Sequence, residues 1–111
     1  MHDRTVGTLS KILKSISHPI RLKILCLLAN NGLTVSQIHG QLATSFANVS
    51  QHLHRLQHQG LVVADKEANF VRYSIASPDV TEMIRTLRHL YCTTPAASSA
   101  ADSQYPIRNE P

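Results

Sequence analysis

Ser45-Phe46-Ala47-Asn48-Val49-Ser50-Gln51-His52-Leu53-His54-Arg55-Leu56-Gln57-His58-Gln59 is closed by Gly60 and continued at once by Leu61-Val62-Val63. On a helix, Val49, Leu53 and Leu56 fall at i, i+4 and i+7, a narrow apolar seam suited to a core. The other side carries Ala47, Ser50, Gln51, His54 and His58, with Arg55 at its margin and no acidic residue. A solvated helix face ordinarily mixes Lys with Glu for solubility and i,i+4 pairing. This face instead offers a methyl, a hydroxyl, an amide and imidazoles, the groups that read base edges in a major groove. Ser45 is placed to cap the helix start and Gly60 to end it. The stretch reads as a DNA-recognition helix, with a plain polar surface helix as the alternative.

Upstream of this stretch, Thr34 and Gln37 stand three apart as a capping box. Val35, Ile38 and Leu42 give a short helix, and Ala43-Thr44 leads straight into the stretch above. Two helices joined by a tight turn, the second with the polar face, make a helix-turn-helix. On the other side, Leu61–Ala64 and Val71–Ile75 are β-prone runs, the second alternating with period two. Asp65–Phe70 would form the tip of their hairpin, with Asn69 the expected positive-φ residue. A hairpin placed directly after a helix-turn-helix is a wing. Lys66 and Arg72 would meet phosphate there rather than bases; a plain solvated hairpin is the alternative for either one alone.

The flanks are helical. Val6, Leu9, Ile12, Leu13 and Ile16 form one amphipathic stripe, broken at His18-Pro19. Ile20–Ala29 is apolar almost all round, so that helix should be central. Ser77-Pro78 opens the last helix, with Asp79 and Glu82 in its first turn and Arg85, Arg88 and His89 toward its end, as the helix dipole prefers. Val80, Met83, Ile84, Leu87, Leu90 and Tyr91 share a stripe. The expected fold is mainly α with a β-hairpin wing: five helices, the two terminal ones forming a dimer interface. Residues 1–92 would be the DNA-binding and dimerisation domain. Residues 93–111 are too poor in large apolar groups to fold and should be a flexible tail. A two-fold dimer would set its recognition helices roughly 34–36 Å apart on a palindromic operator.

The 111-residue chain has a formal net charge of +4 and seven further His, a balance that suits a polyanion. There is no signal-like apolar segment and no run of eighteen apolar residues, so a cytoplasmic protein without a membrane span is expected. No nucleophile elbow, Gly-rich phosphate loop or paired-acid motif argues for an enzyme, and nothing calls for a cofactor. A winged helix serving as a protein-interaction module is the rival reading. Two Cys in a reducing compartment point to transient redox or ligand chemistry more than to a permanent bridge.

Ser17-His18-Pro19-Ile20-Arg21-Leu22-Lys23-Ile24-Leu25, Val49-Ser50-Gln51-His52-Leu53-His54-Arg55-Leu56, Gly60-Leu61-Val62 and Val71-Arg72-Tyr73-Ser74-Ile75 together resemble the ArsR/SmtB family of bacterial repressors, over about residues 9–92. The resemblance implies a winged-helix dimer that represses transcription and leaves DNA when an inducer binds. It also implies base-reading roles for Ala47, Ser50, Gln51 and His54, the face already derived. Phe46 departs from the polar residue usual there. The candidate DNA contacts are thus Ser45, Phe46, Ala47, Ser50, Gln51, His54, Arg55, Lys66 and Arg72.

The inducer is read from ligand chemistry. Thr34 and Ser36 stand where the arsenic- and cadmium-sensing branch has a Cys pair, and neither is a soft-metal ligand. Asp79, His89 and Cys92 are the nearest approach to the zinc-sensing pattern, and four ligands do not assemble from them. Leu25-Cys26 and Leu90-Tyr91-Cys92 resemble the two-cysteine subgroup that senses persulfides, polysulfides and oxidants. That resemblance implies bridging of Cys26 and Cys92 within one protomer by a disulfide or a short polysulfide. Independently, Lys23 lies one turn from Cys26 and would favour its thiolate, and Cys92 falls on the side of Arg85, Arg88 and His89. The alternatives are a buried small hydrophobe for Cys26 and an inert helix end for Cys92. A direct disulfide requires Cα atoms about 4.4–6.8 Å apart.

Overall fold

The computed structural model describes residues 3–91. Along the chain run α1 (Asp3–Ile16), α2 (Pro19–Leu28), β1 (Leu33–Thr34), α3 (Val35–His39), α4 (Phe46–His58), β2 (Val62–Glu67), β3 (Phe70–Ile75) and α5 (Pro78–Tyr91). Five helices surround a small antiparallel sheet of order β1-β3-β2, a winged helix-turn-helix. Cys92 and the tail assigned to residues 93–111 lie outside the described residues, as does the boundary between tail and domain.

Helix starts obey local chemistry. His18 caps α2: its Nδ1 accepts the Ile20 N–H at 3.2 Å, and Pro19 fills the first helical position. Thr34 and Gln37 form both bonds of the capping box, at 3.2 and 2.9 Å. Ser45 Oγ accepts the Asn48 N–H at 3.0 Å, and Ser77 Oγ accepts that of Val80 at 3.3 Å.

The end of α4 sets the position of the wing. Gly60 adopts φ +78, where a side chain is unfavourable. Its N–H donates to Gln57 O at 3.0 Å and the next N–H, of Leu61, to Leu56 O at 2.9 Å. This is the Schellman arrangement, with Leu56 and Leu61 both buried across it. Leu61 O in turn accepts the Ala76 N–H at 2.9 Å, closing the base of the wing.

Val49, Leu53 and Leu56 of α4 are wholly enclosed with Ile24, Leu25, Ile38 and Ile84. The central helix α2 packs against α1, α4 and α5. Arg85 of α5 donates from Nη2 to the Ala29 carbonyl at 2.9 Å, satisfying an acceptor at the C-terminal end of α2.

Four local expectations are corrected. Leu42 is not helical: α3 ends at His39, and Leu42 packs on the core from the turn beyond it. The β-strands run three residues further than the apolar runs on β2 and one on β3, so the hairpin closes at Ala68-Asn69, with Glu67 paired to Phe70. The positive φ falls on Ala68, at +52, and not on Asn69, because a two-residue loop in this register needs its left-handed residue first. Finally, β1 has no counterpart among the β-prone runs of the sequence; it pairs Leu33 with Tyr73 and Thr34 with Arg72. Gly32 precedes it, and a Cβ there would meet the Arg72 side chain at 3.0 Å.

Ala68 carries a Cβ in a conformation that disfavours one. Replacing it by glycine should raise unfolding stability by about 0.5–1 kcal/mol, the steric relief exceeding the added chain entropy. Urea unfolding monitored by circular dichroism checks this; a lower midpoint for Ala68→Gly would contradict the turn geometry.

Candidate nucleic-acid interface and the cysteine positions

With its seam buried, α4 can face outward in only one way. Ala47, Gln51, His54, Arg55 and His58 are exposed and Ser50 is half-buried. Ser45 and Phe46 sit at the helix start; Ser45 spends its hydroxyl on the cap, and Phe46 stands exposed, edge-on to the His39 ring at 5.7 Å. Asn48 is held inward by donating to Thr44 Oγ1 at 2.9 Å. The structure thus brings Ala47, Ser50, Gln51, His54 and Arg55 together on one rigid face.

The wing treats its two cations differently. Lys66 is exposed on β2. Arg72, opposite Asp65 on β3, bonds Glu67 through Nε at 3.1 Å and Gly32 O through Nη1 at 3.0 Å, and its guanidinium lies 5.6 Å from the Phe70 ring centre. Arg72 therefore fastens the wing to the turn before β1, and any contact it makes with phosphate uses what remains of its donors.

Sequence reasoning leaves His18, His52 and Arg21 out of the site. A groove of about 730 Å³ runs between the start of α2 and α4, lined by His18, Arg21, Gln51, His52, His54 and Arg55 among others, and by no carboxylate among the described residues. The His18 and His52 rings sit 4.4 Å apart at 45°. Burial first, then His18, Arg21 and Arg55, holds the His52 imidazole below its ordinary value. No periodicity signals this pair, since only the fold sets the α2 cap beside the inner flank of α4.

Cys26 is half-buried on α2, packed against the core. Cys92, its expected partner, comes directly after α5 and lies outside the described residues. What the structure does place together are the helix that carries Cys26, α2, and the helix that leads to Cys92, α5. Asp79 and His89 occupy opposite ends of α5, ten residues or about 15 Å apart along the axis. Among the described residues no three His, Cys, Asp or Glu side chains are grouped to hold a metal ion. No helix among them is long and apolar enough to cross a membrane.

A family model for bacterial regulatory proteins of the arsR family matches residues 18–63, from the cap of α2 to the start of the wing. The chain is similar to the transcriptional activator HlyU of Vibrio cholerae, 42% identical over 81 residues covering 73% of this chain and 75% of that protein. It is also similar to the HTH-type transcriptional regulator YgaV of Escherichia coli, 37% identical over 82 residues covering 73% and 83%. The structure of reduced HlyU from Vibrio cholerae matches with a TM-score of 0.76 at 38% identity, over 81% of this chain and 95% of that one.

Because the folded state binds a proton at His52 less well than the unfolded chain, stability falls as pH drops through the ordinary imidazole range, about 6.5, toward the lower folded value. His52→Gln should flatten that loss between roughly pH 7 and 5. Thermal melts across this window read it; an unchanged pH slope in the variant would speak against a desolvated His52.

Proposed function

The chain belongs to the ArsR family of bacterial regulatory proteins, DNA-binding regulators of transcription, and from that premise we propose that it is a homodimeric repressor that releases operator DNA when Cys26 and Cys92 are bridged. The observation that carries the DNA-binding half is the acid-free outward face of α4, held by a seam with no exposure to solvent. Gln51 and His54 would read base edges, with Ala47 and Ser50 allowing close approach. Arg55 and Lys66 would meet phosphates from the helix margin and the wing.

Dimerisation is supported by exposed apolar side chains on the terminal helices. Val6, Leu9 and Leu13 of α1 and Leu90 and Tyr91 of α5 are all exposed in the isolated protomer, up to 62% at Leu90. Covering them with a second copy would give the two-fold spacing that a palindromic operator requires.

The switch half is supported by three things. The helix of Cys26 packs on α5, a partly enclosed thiol sits on that helix, and one matching structure of a relative is described as its reduced form. Peroxide or polysulfide would accept two electrons from the two thiols, which release two protons as the bridge forms; a polysulfide can leave extra sulfur within it. Bridging would strain α2 against α5 and alter the spacing of the recognition helices. A coupling of about 2–3 kcal/mol weakens binding roughly a hundredfold.

On an operator selected from random duplexes, Gln51→Ala should lose about 1–3 kcal/mol and relax preference at one base pair. Lys66→Gln should weaken all duplexes alike and lower the salt slope by about 1. Equal losses for Gln51→Ala on operator and random DNA would remove its base-reading role. For the switch, polysulfide or peroxide treatment should change the intact-chain mass and abolish operator binding, and Cys26→Ser or Cys92→Ser should bind DNA regardless. Full binding by a bridged species refutes the mechanism, and a zinc response kept in the double variant turns the assignment to a metal sensor.

A further inference from the structure

A second cavity, of about 590 Å³, lies behind the recognition helix between α1, the start of α2, the end of α4 and the start of α5. Lys11 and Lys14 of α1, Arg21 of α2 and Arg55 of α4 line it, together with Ser15 and Ser77, and no Asp or Glu does among the described residues. The four cations have no counter-ion among the described lining residues, and Arg21 and Arg55 repel each other. Arg21 shows the cost most directly. Its Nε is buried and, among the described residues, finds no hydrogen-bond partner. Burial, and secondarily the Arg55 cation, holds its guanidinium below the ordinary value.

From the four basic residues that line it and the absence of any Asp or Glu among its described lining, we infer that this cavity is a binding site for a small oxyanion carrying two or more negative charges, on phosphoryl or carboxylate groups. Such a ligand takes charge-assisted bonds from planar guanidinium and mobile ammonium donors. The volume falls within the range of small-molecule sites, about 300–1,000 Å³. The site stays open in a dimer built on the α1 stripe. Thr8, Lys11 and Ser15 face the cavity, and Val6, Leu9 and Leu13 lie roughly 160° around the helix from them. Arg21 and Arg55 also line the groove beside α4. Anion and duplex therefore draw on the same two cations, and each weakens the other by the same factor.

This inference does not rest on the cysteines, so it is tested on the full chain kept reduced. Calorimetric titration with inorganic pyrophosphate, and separately with citrate, is run at constant ionic strength against chloride. Saturable binding of either is expected, the pair separating phosphoryl from carboxylate preference. Lys11→Gln/Lys14→Gln, two exposed changes that leave the core untouched, should weaken binding by roughly tenfold. Binding of neither anion beyond the chloride control overturns the inference. So does binding that survives in the double variant, or that is lost instead in His54→Ala, which would place the anion in the DNA-side groove.

Discussion

The burial of three side chains, Val49, Leu53 and Leu56, governs the rest of the molecule. Each is wholly enclosed, and at helical spacing they leave α4 no rotational choice. A helix turned by even one residue, about 100°, would expose the seam and sink Ser50 and Gln57, or Asn48 and Arg55, into an apolar core. The identity of the outward face is thus a by-product of packing. What that face can recognise is decided by which residues the seam excludes, and nothing else in the chain needs to aim it.

Electrostatics supplies the second constraint. The chain carries eleven Lys and Arg against seven Asp and Glu, but the excess is unevenly used. Arg72 is occupied by Glu67 and the Gly32 carbonyl, and Arg85 by the Ala29 carbonyl, so two of the basic residues hold elements together. The uncompensated charge gathers instead around Arg21 and Arg55, at the junction of α2 and α4, behind and beside the recognition face.

Much of this is readable from the residues alone. The caps at Thr34, Ser45 and Ser77, the stop at Gly60, the break at Pro19 and the α4 seam all rest on interactions within a few positions, and all stand as expected. The misses share a cause. β1 is two residues long and exists only because β3 offers it an edge, so no local pattern announces it. The left-handed residue falls on Ala68 because strand register, a property of two strands together, overrides the preference of Asn69. Arg72 looks like a free wing cation in the sequence because its partner carbonyl lies forty positions away at Gly32. His18 beside His52, and Arg21 beside Arg55, are likewise meetings between elements that sequence spacing does not encode.

Leu61 holds a position whose significance exceeds that of one buried side chain. Its N–H closes the end of α4 on Leu56, and its carbonyl takes the N–H of Ala76, the residue just before the cap of α5. Helix, wing base and the root of the last helix are therefore pinned to a single peptide on each side. Any displacement of α5 reaches α4 through two consecutive hydrogen bonds without a flexible linker to absorb it. A turn of α5 about that junction would load the end of α4 and the base of the wing through the same residue.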